Sequence, residues 1–259
     1  MAGRNLQNLL VPAAIVVGGL SFILLGLYIP DRRSDGGAGA PEGATLETDA
    51  GGSAGGARDA TGRAAAPASE LTLAIRADDV RAVIAALDGG ADVNERLPER
   101  LAGLAGTPLM LAARDAKPEI VAELVRRGAD VEARSPTGAT ALMLAAQRSD
   151  PDAVLALLNA GADVNARTDS GRTPLIAAAA TGATASLRAL LEAGAEVDAS
   201  DANGVTAVMH ATDRRDRDGV LALLNAGASP VRGDGAGRSA LDRAPEGPVR
   251  EILREAAGG

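Results

Sequence analysis

His210 is the single histidine of this 259-residue chain, and carboxylates follow it closely at Asp213, Asp216 and Asp218. On a helix, His210 and Asp213 stand i, i+3 on one face, where an imidazole and a carboxylate can share a cation. Catalytic zinc normally needs three protein ligands. The chain has no cysteine to supply one, to act as a thiolate nucleophile or to form a disulfide. The string TDRRDRD (212–218) sets three arginines beside these carboxylates, so they are expected to be paired or solvated. No Ser-His-Asp arrangement is signalled, and neither G-x-x-x-x-G-K nor a dinucleotide fingerprint occurs. The reading is of a protein that is not an enzyme, with no catalytic residue, no cofactor, no metal and no small-molecule substrate.

Composition narrows the architecture that could hold such residues. There is one Phe, one Tyr and no Trp, and both aromatics, Phe22 and Tyr28, lie near the N-terminus. Everything after Tyr28 must pack from Leu, Val, Ile, Ala and Met. That palette suits closely packed helices and disfavours a β-sandwich or barrel. The net charge of −8 opposes binding to nucleic acid or to an anionic membrane surface. The missing aromatics also remove the platforms on which single-stranded nucleic acids stack. Of 26 basic residues only Lys117 is lysine, which reads as a coding bias of bacterial type.

Residues 9–29, LLVPAAIVVGGLSFILLGLYI, carry no charge. A run of about 20 apolar residues matches the hydrocarbon thickness of a bilayer. It is longer than the apolar core of a cleaved signal peptide. A transmembrane helix is therefore expected over 9–29, after a short tail at 1–8. Residues 30–69 are rich in Gly, Ala, Pro, Ser and charge, which predicts a flexible linker. Such a chain has an r.m.s. span of ~35 Å. Arg32 and Arg33 outnumber Arg4 across the span, but long domains translocate largely regardless of flanking charge. The expectation is a single-pass protein of a bacterial inner membrane, with the C-terminal part facing the periplasm.

That C-terminal part repeats. GADVN (90–94), GADVE (128–132), GADVN (161–165), GAEVD (194–198) and GASPV (227–231) recur, and from Gly128 onward their glycines are spaced by 33. Thr107-Pro108-Leu109, Thr140-Ala141-Leu142, Thr173-Pro174-Leu175, Thr206-Ala207-Val208 and Ser239-Ala240-Leu241 keep the same period. The hydroxyl can cap a helix, and proline fits the first helical position. A second helix shows apolar residues at i, i+1, i+4 and i+5, as in Ile120, Val121, Leu124 and Val125. The glycine of each GADV string ends it in the left-handed conformation.

These repeats resemble ankyrin repeats, whose consensus runs G-x-TPLH-x-AA, a second helix, then GADVN. The resemblance implies an all-α solenoid of stacked helix pairs with short β-turn fingers. It covers an N-terminal cap (about 70–105), repeats at about 106–138, 139–171, 172–204 and 205–237, and a C-terminal cap (238–259) that ends near Arg254. The family's His after TPL is replaced by Met110, Met143, Ile176, Met209 and Asp242, so apolar contact must substitute for its hydrogen bonds. His210 falls in register with Leu111 and Leu144, a packing position. The resemblance further implies a protein partner, held on the concave face formed by the fingers and first helices. By register the candidate partner-binding residues are Arg114, Asp115, Thr137, Gln147, Arg148, Asp169, Ser170, Arg172, Asn203, Asp213 and Arg214. The first finger is five residues longer than the others and adds Leu97, Leu101 and Leu104. Those leucines either cover the stack or anchor a partner. The function expected is a membrane-tethered scaffold or adaptor, with an accessory subunit of a partner enzyme as the alternative.

Overall fold

The computed structural model of the chain describes residues 69–97 and 106–258. The expected transmembrane helix at 9–29, nearly all of the linker, and Leu101 and Leu104 lie outside the described residues. Among the described residues no helix is long and apolar enough to cross a membrane.

The described residues form successive helix pairs: α1 (Glu70–Ala77) with α2 (Val80–Asp88), α3 (Pro108–Arg114) with α4 (Pro118–Arg126), α5 (Ala141–Ala146) with α6 (Asp152–Asn159), α7 (Pro174–Thr181) with α8 (Thr184–Glu192), α9 (Ala207–Asp213) with α10 (Arg217–Asn225), and α11 (Ala240–Arg243) with α12 (Pro248–Gly258). First helices pack on first helices and second helices on second helices, giving two rows. The only β pairing among the described residues is two isolated bridges, Leu97 with Gly106 and Ser200 with Thr206. The all-helical expectation thus holds for the described part of the chain.

Sequence explains why the inner row is so tightly packed. All six residues of α5 are buried, as are residues 108–113 of α3 and 174–179 of α7. Each inner helix is enclosed by its two row neighbours and its own second helix. Alanines 112, 113, 145, 146, 178 and 179 are fully buried, which permits that approach. Met110, Met143, Ile176 and Met209, which replace the family's histidine, are at most 2% exposed. Asp242 differs: it is exposed and closes a capping box with Ser239. The outer helices are amphipathic, burying Ile120, Val121 and Leu124 in α4, and Ala153, Val154 and Leu157 in α6.

The expected caps form in part. Thr107, Thr173 and Ser239 accept backbone N–H bonds at their helix starts. Thr140 and Thr206 do not, and their hydroxyls are buried without a partner. The second helices end as the GADV strings require. Gly161 has φ +88°, and the Ala162 amide reaches back to the Leu157 carbonyl at 3.0 Å. This is the Schellman arrangement. The last unit departs from expectation at its end: α11 is one short turn, and α12 continues past Arg254 to Gly258.

Hydrogen bonds fix the step between units. The last residue of each GADV-type string accepts from a backbone amide of the next string: Asp130 N–H to Asn94 Oδ1 (2.8 Å), Asp163 to Glu132 (2.9 Å), Glu196 to Asn165 (2.8 Å) and Ser229 to Asp198 (3.0 Å). Arginines form a parallel ladder, Arg96 donating to the Arg134 carbonyl, Arg134 to that of Arg167, and Arg167 to that of Ser200. The single lysine has a structural role too. Lys117 Nζ donates to the carbonyls of Ile75 (2.6 Å) and Arg76 (3.3 Å) at the end of α1, joining the first unit to the second.

Two glycines with left-handed backbone separate strain from contact. A Cβ at Gly161 would meet nothing within 4 Å, whereas one at Gly204 (φ +76°) would lie 2.8 Å from the amide nitrogen of Gly235. We therefore expect Gly161→Ala to cost about 1 kcal/mol, the left-handed penalty alone. Gly204→Ala should cost about 2 kcal/mol or more, because overpacking adds to it. Urea denaturation of the two variants measures the difference, and equal losses would mean that the fingers are not in contact.

Candidate interaction surface

The fingers are built by a short device that recurs with the repeat. A residue with a side-chain acceptor stands three places before a glycine: Ser135 before Gly138, Thr168 before Gly171, Asp201 before Gly204 and Asp234 before Gly237. Its side chain takes amides across the turn. Ser135 Oγ accepts from Ala139 N–H at 3.0 Å, and Asp201 Oδ1 from Asn203 (2.8 Å) and Val205 (3.0 Å). The glycines have φ between +76° and +77°. Each finger then bonds the next through its backbone: Asp169 N–H to Thr137 O, Ala202 to Ser170 and Gly235 to Asn203. In the last finger the Asp234 carboxylate receives the Arg238 and Ala236 amides and the Arg243 guanidinium. The Arg238 amide is the largest of several influences that lower its pKa to about 2.

Leu97 falls at this corner position in the first finger. It has no acceptor to close a turn. Instead its backbone pairs with Gly106 across the insertion (2.8 and 3.3 Å), and its side chain is 4% exposed within the core. Leu97 is therefore part of the stack and offers no surface to a partner.

Between the fingers and the inner row runs a groove of about 410 Å³. Five residues singled out by register meet there: Arg114 from the end of α3, Thr137 from one finger, Gln147 from the end of α5, and Ser170 and Arg172 from the next finger. Sequence reasoning missed its apolar floor, Met143, Leu144 and Ala177, and the finger residue Thr168. The 33-residue register carries the signal for the floor, since Leu144, Ala177 and His210 occupy successive copies of one position.

The remaining candidates do not join this groove. Asp115 is held by the Arg114 guanidinium at 2.9 Å. Arg148 and Asn203 are exposed, and Asp169 stands 4.0 Å from Arg134. Asp213 is bound by Arg243 at 2.7 Å, and Arg214 donates to the Ala180 carbonyl at 3.4 Å.

The acidic surroundings of His210 are dispersed into separate tasks. Asp213 is paired as described, Asp216 caps α10 through the Gly219 amide, and Asp218 lies 3.9 Å from Arg217. Among the described residues no three His, Asp or Glu side chains gather as metal ligands. His210 is partly buried and its Nε2 has no hydrogen-bond partner. Burial, with the Arg172 charge second, holds its pKa below the ordinary histidine value. One further string, GGSAG at 51–55, fits the G-x-S-x-G nucleophile pattern that the sequence reading passed over. It lies outside the described residues.

Comparison with known proteins agrees with the geometry. A family model described as "Ankyrin repeats (3 copies)" matches residues 71–168 and 150–234. No curated protein matches the chain.

The orphaned His210 nitrogen yields a prediction. His210→Leu restores the residue type of Leu111 and Leu144, and should stabilise the protein by about 1 kcal/mol by removing a buried unsatisfied group. A depressed folded-state pKa means that the unfolded chain binds more protons below the ordinary histidine pKa, so stability falls with falling pH there. The leucine variant should lose that part of the slope. Thermal melts across mildly acidic pH test this, and a destabilised variant would show that His210 has a partner.

Proposed function

We infer, since the chain belongs to the ankyrin-repeat family, that it is a membrane-tethered scaffold or adaptor whose fingers and inner helices hold a partner protein. Ankyrin repeats are protein-interaction modules and are in general not enzymes. The observation that carries the finer reading is the groove. It joins polar and charged side chains from α3, α5 and two fingers over a buried aliphatic floor. Thr137, Gln147, Ser170 and Arg172 are all exposed there. Variable polar ends over an apolar floor are what recognition needs and what internal packing does not.

The tether is supported by the sequence of 9–29, uncharged and of bilayer length, and the linker by the composition of 30–69. In this reading the repeats work next to a membrane, on the periplasmic side of a bacterial inner membrane.

A photo-crosslinking residue placed at Gln147 or Thr137 of the full chain in cells should trap a discrete protein adduct. One placed at Leu155, exposed on α6 of the outer row, should not. In spheroplasts, added protease should degrade the repeats, and deleting residues 9–29 should release the chain from the membrane fraction. Adducts only from Leu155 would move the binding face to the outer row. Protection of the repeats would place them inside the cell, and retention of the deletion variant in membranes would remove the tether.

A further inference from the structure

The charges around the groove say more about its occupant. The chain as a whole carries −8. The residues lining the groove reverse that sign: they include two arginines, Arg114 and Arg172, and no carboxylate. The Arg114 guanidinium is already held by Asp115, its neighbour in sequence. Arg172 is different. Among the described residues its guanidinium has no hydrogen-bond or ion-pair partner, although Arg134, Arg167, Arg238 and Arg243, near the same row of fingers, are all engaged. Its backbone is fixed, the amide donating to Thr168 Oγ1 at 3.0 Å. The side chain is thus mounted on a well-determined turn, at the rim of a groove with a Met143 and Leu144 floor.

From the premise that this groove is the binding face, we propose that it takes an extended protein segment bearing an acidic side chain, whose carboxylate pairs with Arg172 while aliphatic neighbours lie on Met143 and Leu144. A planar guanidinium suits bidentate pairing with a carboxylate. Thr137 and Ser170 also line the groove; each hydroxyl shares one hydrogen bond with the corner residue of its own finger, Ser135 or Thr168, and keeps capacity for a main-chain group of an extended strand. Single-stranded nucleic acid fits less well. It brings a row of phosphates to an acidic protein, and no aromatic side chain is present after Tyr28 for its bases to stack on.

The chain contains its own reporter. His210 lies one repeat further along the row that supplies Leu144 and Ala177, and it feels the charges of Arg172, Asp201, Asp213 and Arg243. A carboxylate bound at Arg172 cancels a charge that disfavours the imidazolium. The single imidazole signal should then titrate at higher pH than in the free protein.

The test uses the purified full chain in detergent and a library of short random peptides, acetylated and amidated so that no terminal charge contributes. Bound sequences should be enriched in Asp or Glu beside small aliphatic residues. Replacing that acid with its amide should weaken binding about tenfold. Arg172→Gln should bind the acid and amide forms alike, Arg172→Glu should select Lys or Arg instead, and Arg188→Gln on the exposed face of α8 should change nothing. The His210 signal should shift upward with the acidic peptide and stay put with its amide. Peptides that bind without acidic preference, or whose preference survives Arg172→Gln, would overturn the acidic assignment while leaving the groove as the binding face. Binding lost only on outer-row substitution would overturn both. A library that yields no binder, phosphoserine peptides that bind far more tightly than their Glu forms, or a single-stranded oligonucleotide that displaces the selected peptides would each overturn the carboxylate proposal.

Discussion

A helix pair of this size cannot bury its own apolar faces, so each unit depends on the next one arriving at a fixed step to cover them. The step is set twice over. Small buried alanines on the inner helices set the distance, and the hydrogen bond from each GADV-type string to the amide of its successor sets the register. A slip of one residue would leave a side-chain acceptor and a backbone amide unmatched at each of these junctions. Three of these four bonds are exposed to solvent and one is half-buried, so each contributes about 0.5–1.5 kcal/mol and adds to the register that apolar contact specifies.

Function follows from the same step. Because each finger is bonded to the next through its backbone, the side chains on their tips stand in rows, and Arg114 and Arg172 reach one groove from units two apart. The fingers contribute little to the core, which leaves Thr137, Ser170, Asn203 and their neighbours free to differ without cost to the stack. Some finger and inner-row positions serve the stack alone. Leu97 and His210 both show this: one fills a finger corner, and the other fills a packing position at which its nitrogen goes unsatisfied.

Much of this was legible in the sequence because a period is a strong signal. The helix pairs, the left-handed glycines and the burial of Met110, Met143, Ile176 and Met209 all follow from matching one copy against another. Other features were visible but unread. The Ser135, Thr168, Asp201 and Asp234 corners recur with the same period as their glycines, yet they look like ordinary loop polarity until the amides they accept are seen. The inter-unit ladder was only half legible: its acceptors Asn94, Glu132, Asn165 and Asp198 recur with the strings, but its donors are backbone amides, which carry no residue type. Nor does sequence distinguish Thr173, which caps its helix, from Thr140, which does not. The convergence of Arg114 with Arg172 brings a helix end of one unit to a finger residue two units on, which the register of a single repeat does not reveal.

The hydrogen-bond ladder between the GADV-type strings couples the units into one body. Native-state hydrogen exchange on the full chain and on Asn165→Leu tests it most directly. The variant removes the acceptor of the Glu196 amide and nothing from the core. The account predicts faster exchange at Glu196 and, with it, throughout α7 and α8, as the stack opens at that junction into two blocks. Faster exchange confined to Glu196, with α7 and α8 as protected as before, would contradict it and leave the coupling to apolar packing, the finger bonds and the arginine ladder.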